Sequence, residues 1–297
     1  MSAAAKTGAL VSNISDTARW VAVYRAMESE RPDALFRDPF AARLAGQLGH
    51  DIASRMPEAM RRNVWPMVMR TKAIDDLVMA AIAEGADRVI NLAAGLDTRP
   101  FRLPLPPSLT WVEVDLPVIL GEKERMLAGE IPRCRLVREH VDLSDATARG
   151  ALLDRALQGS TRAVAITEGL LIYLTEAGVG GLARDLAARP AVRTWLADLV
   201  SPVVLQMVRR KLNHRFAPDA ELRFAPPNGV AFFAPFGWHP RSVRSLLRDA
   251  FRFERLPLLL QPFAKAPEPD PANPGKKPWS CVVRFDREAL AGRAGRT

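Results

Sequence analysis

"NLAAGLDTRPFRL", residues 91–103, follows a short apolar run and carries a single glycine with an aspartate two places behind it. The run "RVINLAAG" (88–95) reads as a buried strand ending in small residues, and Gly95 lets a ligand approach backbone that a Cβ would shield. In an open α/β sheet, ligands bind beyond the carboxyl ends of the strands, where the strand order reverses. This turn follows the first strand of the chain, so a site is expected here. The puzzle is Asp97, because a phosphate-binding turn is richer in glycine and has no acid aimed into it.

Upstream of the turn the chain reads as a helical cap, residues 1–84, behind a short frayed tail. Ser15 and Asp16 start one helix, with Trp20, Val23, Tyr24 and Met27 along one face. Asp38 reads as an N-cap with Pro39 at the first helical position, followed by Phe40, Leu44 and Leu48. A third helix carries Ile74, Leu77, Val78, Ala81 and Ile82 and ends at Gly85.

Downstream, strand and helix alternate over residues 85–202, the expected cofactor-binding core. "TWVEVD" (110–115), "RLVREHVDL" (135–143), "AVAITEGLLIYL" (163–174) and "VRTWLADLV" (192–200) follow the first strand, with helical segments between them. That alternation predicts βαβ units and a parallel sheet. Residues 203–236 break the rhythm and read as a lid or binding insertion. In 237–297, "HPRSVRSLLRDAF" reads as a helix and "FRFERLPLLL" as a strand. "WSCVVRFD" closes the sheet, and the last two strands pair antiparallel. The expected fold is one α/β domain over 1–297, a doubly wound Rossmann-like sheet of seven strands, mostly parallel with the last strand antiparallel.

Composition narrows the function. The chain has 297 residues, 48% of them hydrophobic and 25% charged, enough for a large core. It contains no apolar run of about 18 residues to cross a membrane and no secretory h-region, so a cytoplasmic protein without membrane partners is expected. Cys134 and Cys281 supply neither a disulfide framework nor metal-ligand spacing, and no metal is expected. Cys134 stands between Arg133 and Arg135, which would lower its pKa, or else it is a reduced thiol at a strand edge. The net charge of +9 comes from scattered arginines without interleaved aromatics, so nucleic acid is not an expected partner.

Asp115 ends the second strand twenty positions after Gly95, the separation at which a carboxylate reaches ribose hydroxyls. Dinucleotides and S-adenosyl-L-methionine share that geometry; charge separates them. A dinucleotide brings a diphosphate, whereas S-adenosyl-L-methionine brings an ammonium, a sulfonium and one carboxylate. Acids near the first turn suit the second, provided a cation elsewhere holds the carboxylate.

With those blocks in order, the chain resembles the leucine carboxyl methyltransferase family, in its bacterial branch of S-adenosyl-L-methionine-dependent enzymes. "SDTARWVAVYRAMESERPDALFRDPFAARL", "MRTKAIDD", "NLAAGLDTRPFRL", "EVDLP" and "TEGLLIYL" carry the resemblance over nearly the whole chain. It implies that Arg70 holds the cofactor's carboxylate and that Gly95 lies under its methionine portion. It further implies that Asp115 binds the ribose, that Asp142 and Leu143 hold the adenine, and that Glu168 lies near the ammonium and the reacting methyl. Arg25 matches a second basic residue of the cofactor site, and Tyr173 falls where the family places a tyrosine near the acceptor.

Local alternatives stand beside these roles. Asp97 fits a turn cap as well as a ligand contact, and Arg70 could pair with Asp75 or Asp76 on its own helix. Arg99 and Arg102 could be solvated or pair with carboxylates of the N-terminal helices, and Tyr173 could be plain core.

Methyl transfer from a sulfonium is an in-line displacement, served largely by proximity and orientation. A carboxylate acceptor is already ionised at neutral pH and could be oriented by Arg19, Arg25 or Arg215, whereas a hydroxyl would benefit from a base. The histidines are His50, His140, His214 and His239, and none has a signal that names it the base. The expected activity is O-methylation of a carboxylate or hydroxyl on a small molecule, such as a polyketide-like natural product. Methylation of a protein's terminal carboxylate is the alternative, and an NAD-dependent oxidoreductase a weaker one.

Overall fold

The computed structural model describes residues 14–212 and 221–287. The helices are α1 (Ile14–Ser29), α2 (Ala41–Arg55), α3 (Glu58–Arg62), α4 (Trp65–Ala83), α5 (Arg99–Arg102), α6 (Pro117–Met126), α7 (Ala146–Ala156), α8 (Glu176–Ala187), α9 (Pro202–Leu212), α10 (Leu246–Arg252) and α11 (Gln261–Lys265). The strands are β1 (Arg88–Leu92), β2 (Thr110–Asp115), β3 (Arg135–His140), β4 (Ala163–Thr167), β5 (Val192–Val200), β6 (Trp238–Ser245) and β7 (Ser280–Arg287). They form one sheet in the order β3-β2-β1-β4-β5-β7-β6. β1 to β5 are parallel, and β7 runs antiparallel between β5 and β6. The order reverses between β1 and β4, so the turn after β1 lies at the switch point.

Alternation along each strand sends side chains to two covered faces. Ile90, Leu92, Val112 and Val114 pack with Leu152 and Leu153 of α7 and Val179, Leu182 and Leu186 of α8. Val89, Trp111, Val164 and Leu196 pack on the other face with Met69, Ala73, Ile74 and Val78 of α4 and Leu246 of α10. Each large side chain so buried contributes about 1.5–3 kcal/mol against leaving it in water. A third apolar cluster roofs the carboxyl edge of the sheet, with Trp20, Val23 and Tyr24 of α1, Leu44 and Ile52 of α2, Leu205 of α9, Leu222, and Leu96 of the turn.

Several local expectations are corrected. The stretch from His239 to Ser245 is strand, not helix, and the helix begins only at Leu246, where Ser245 Oγ accepts from the Arg248 N–H at 3.4 Å. Pro240 is tolerated because β6 is the sheet's edge. "FRFERLPLLL" is not a strand; it holds a 3-10 turn, Leu258–Leu260, that runs into α11, so the partner of β7 lies upstream. α2 starts at Ala41 rather than Pro39; the Asp38 carboxylate accepts from the Phe40 N–H at 3.2 Å through Oδ1 and from Arg25 Nε at 2.8 Å through Oδ2. Gly46, at φ +56, interrupts the helical phase of α2, so Leu44 is buried while Leu48 is 48% exposed.

Of the stretch expected as a lid, 213–220 lies outside the described residues, as does the N-terminal tail. Its second part opens with Leu222 in that third cluster and then turns into the core. Phe224, Val230 and Phe233 are sealed in the core, and Phe233 meets Trp195 edge-on at 5.2 Å. Burial pushes the Cys134 thiol up to about 11, outweighing any effect of the flanking arginines.

Candidate functional site

The site is assembled from strand ends. β1 leaves the sheet into residues 93–98, where Ala93 (φ +58) and Gly95 (φ +47) both take left-handed backbone. Such a conformation at a non-glycine residue is strained, and strain of this kind collects at functional turns. A Cβ on Gly95 would stand 3.2 Å from the Ala18 Cβ of α1, so the helical cap presses directly on the turn.

Asp115, ending β2, reaches this turn. Its Oδ2 accepts from the Gly95 N–H at 2.5 Å and its Oδ1 from the Leu116 N–H at 2.7 Å. Burial raises its pKa, with the two N–H contacts working the other way. Each oxygen keeps a lone pair for further donors, the capacity a vicinal diol needs. β3 ends beside it, where the Val141 N–H donates to Asp115 O at 3.0 Å. Beyond lie Asp142, exposed with its Oδ1 accepting from the Ser144 N–H at 2.9 Å, and Leu143, half-buried against the core.

Glu168 and Asp198 close the other side. Glu168 follows β4, and Asp198 lies near the end of β5, where sequence reasoning passed it over. Arg70 of α4 spans both, with Nε donating to Glu168 Oε1 at 3.1 Å and Nη1 to Asp198 Oδ2 at 3.2 Å. It does not pair with Asp75 or Asp76. Burial disfavours the Arg70 charge, but Asp198 and Glu168 outweigh that and raise its pKa. Asp198 Oδ1 also accepts from the Gly169 N–H at 2.7 Å, which ties β5 to the turn after β4. Tyr173 stands in the same group: burial raises its pKa, while a hydrogen bond with Thr17 and the charge of Arg70 oppose the rise.

A second arginine underlies the first. Arg99, only 1% exposed, donates from Nε to Asp75 Oδ1 at 2.6 Å and from Nη1 to both Asp97 Oδ2 and Glu168 Oε2 at 2.7 Å. Arg102 grips Asp75 with both terminal nitrogens, at 2.7 and 2.8 Å. Burial alone would raise the pKa of Glu168, yet Arg99 and then Arg70 hold it below the usual carboxylate range. Asp97 is likewise held low, chiefly by Arg99 against its own burial.

Asp97 therefore serves the turn. Its Oδ1 accepts from the Arg99 N–H at 2.9 Å and its Oδ2 from Asn91 Nδ2 at 2.7 Å. The Gly95 and Arg99 N–H groups, which a phosphate would seek, are both engaged by carboxylates. In this web three guanidiniums (Arg70, Arg99, Arg102) face four carboxylates (Asp75, Asp97, Glu168, Asp198), before Asp115 is added. The excess is negative. It welcomes a cation and repels a diphosphate.

Two expected basic residues have partners within the protein. Arg25 lies against the turn, with Nε on Asp38 at 2.8 Å and Nη2 on Leu96 O at 2.6 Å, so it braces the backbone there. Arg19 donates to Glu122. Arg215 and His214 lie outside the described residues. No group of three or more His, Cys, Asp or Glu side chains fit to hold a metal occurs among the described residues, and no described helix is long and apolar enough to cross a membrane.

Comparison with known proteins places this geometry. The family profile described as leucine carboxyl methyltransferase matches residues 18–187. A Streptomyces coelicolor protein, provisionally named an S-adenosyl-L-methionine-dependent methyltransferase, is 40% identical over 261 residues, 82% of this chain and 89% of that one. A Frankia alni protein with the same provisional name is 33% identical over 267 residues, 84% of this chain and 90% of the other. A crystal structure from Thermobifida fusca, titled provisionally as a methyltransferase, shares the fold with a TM-score of 0.56 at 18% identity, covering 94% and 96% of the two chains.

Proposed function

The chain belongs to the leucine carboxyl methyltransferase family, and from that premise we propose that it O-methylates a carboxylate or hydroxyl of a small molecule. It is an S-adenosyl-L-methionine-dependent methyltransferase. The cofactor, when bound, supplies an electrophilic methyl on a sulfonium beside an ammonium and a carboxylate.

The observation that carries the reading is the Arg70 bridge between Glu168 and Asp198, set in a surplus of carboxylates at the switch point. In the proposal Arg70 holds the carboxylate, Glu168 the ammonium, and Asp115 the ribose hydroxyls within reach of the Gly95 turn. Leu143 and Asp142 line the adenine end, and Tyr173 orients the acceptor. These residues fit the cofactor chemically: one accessible cation for its one anion, and carboxylates for its positive groups. Gly95 lets Ala18 of α1 close on the turn, where a Cβ would stand 3.2 Å from it.

The roof formed by α1, α9 and Leu222 favours a small acceptor over a folded protein surface. Among the described histidines, His50 and His239 are exposed, and His140 faces Glu124 at 3.3 Å, so none sits by Glu168. The test is calorimetry with S-adenosylhomocysteine, then incubation with methyl-labelled cofactor and a metabolite extract or protein lysate. Saturable binding and label on a small molecule are expected. Label on a protein carboxylate instead would overturn the acceptor half, and NADH binding without S-adenosylhomocysteine binding would overturn the cofactor half.

A further inference from the structure

Arg99 has no part in the roles above, yet it is the most heavily engaged side chain of the web. Its guanidinium is fully enclosed and meets three carboxylates from three elements: Asp75 of α4, Asp97 of the turn after β1, and Glu168 after β4. Nη1 divides its contacts between Asp97 Oδ2 and Glu168 Oε2, both at 2.7 Å. Glu168 thus keeps Oε1 toward Arg70 and Oε2 toward Arg99. The two arginines differ in exposure. The Arg70 side chain is 12% exposed and stands at the site, whereas that of Arg99 is 2% exposed and lies behind it.

The geometry points to Arg99 as a positioning residue for the donor's ammonium: it fixes Glu168 from behind and keeps it charged, independently of where Arg70 is engaged. This rests on the proposed roles of Glu168 and Arg70. A carboxylate in this setting ionises only with a cation close by, because burial favours its neutral form. Arg70 is asked to hold the ligand's own carboxylate, which neutralises its pull on Glu168. Arg99 is screened from the ligand and keeps its full effect. Asp97 works the other way, since it competes for Nη1 and adds a like charge beside Glu168. The pH at which Glu168 takes up a proton is therefore a balance struck by residues 97 and 99, neither of which needs to touch the ligand.

The test compares S-adenosylhomocysteine with methylthioadenosine, which has the same nucleoside but lacks the amino-acid end. The ratio of their affinities isolates that end and cancels any protonation at the ribose side. For the native chain the ratio should persist into acid and then collapse. In Arg99→Gln the collapse should move to higher pH by about one to three units, the range an adjacent opposite charge commands. In Asp97→Asn it should move to lower pH. Should Arg99→Gln fail to fold by circular dichroism, Asp97→Asn and Arg99→Lys carry the test; the lysine, which keeps the charge, should restore most of the native profile. A folded Arg99→Gln or Asp97→Asn variant whose ratio collapses at the native pH overturns the role of Arg99 while leaving the cofactor assignment intact. A native chain with no preference for S-adenosylhomocysteine at any pH overturns both.

Discussion

Two buried arginines, at opposite ends of the sheet, hold similar sets of partners and do different work. Arg284 of β7 grips Glu84, at the end of α4, with both terminal nitrogens at 2.8 and 2.6 Å, and takes Asp286 from Nε at 2.9 Å. Glu84 and Asp286 keep 36% and 28% of their side chains exposed. The hydrogen bonds to Glu84 raise the Arg284 pKa despite burial. This is a clasp: it joins helix to sheet, and water shares its load. The acids around Arg99 are at most 15% exposed, and one of them, Glu168, has its other oxygen on Arg70. Burial makes that second hub costly to assemble and strong once assembled. In the proposed reading the Arg99 hub is functional because one of its acids, Glu168, also faces the ligand.

The sharpest way to break the contrast is at Glu168. Glu168→Gln should weaken S-adenosylhomocysteine binding by about 2 kcal/mol, roughly thirtyfold, since a charge-assisted contact becomes a neutral one. Thermal stability should fall as well, because Arg70 and Arg99 lose a buried charged partner, and calorimetry beside a melting curve reads both. Arg284→Gln should separate the two effects. It should cost about 1–2 kcal/mol, a fall in Tm of a few degrees, with S-adenosylhomocysteine affinity unchanged. Loss of affinity in Arg284→Gln would show that the two ends are energetically coupled.

Acid titration gives the smallest and most selective effect. Burial raises the Asp115 pKa, whereas Glu168 is held low by its arginines. As pH falls, Asp115 should protonate first. A carboxyl whose folded pKa is raised gains folding stability on protonation, so ligand affinity should fall there severalfold while the contribution of Asp115 to Tm rises slightly. In Asp115→Asn that first step should vanish, as followed by calorimetry between neutral and mildly acid pH.

Much of this was legible in the chain. The turn at 91–103, the acid twenty residues on and the alternation of elements together specify a doubly wound sheet, because parallel strands need crossover connections and the helices between short apolar runs supply them. The site acids Asp115 and Glu168 stood out as charges closing apolar strands. Asp198 carries the same mark within "LADLV" and could have been found by it. The Arg99 hub could not, because its partners come from α4, the turn and β4, and only the fold brings them together. Arg25 is legible as a residue of this region, but its contacts are not: the fold sets its donors on Asp38 and on the Leu96 carbonyl of the turn. The segment around β6 was misassigned because "SVRSLLRDAF" satisfies a helical period throughout, and only pairing with β7 makes its first part extended.

Both cysteines are buried with thiol pKa values raised by their surroundings. Neither offers a thiolate at neutral pH, so the folded protein should ignore maleimide and air oxidation alike. An engineered surface cysteine on α9 would then be the sole label site, and a fluorophore placed there could follow the roof over the cofactor without any prior removal of native thiols.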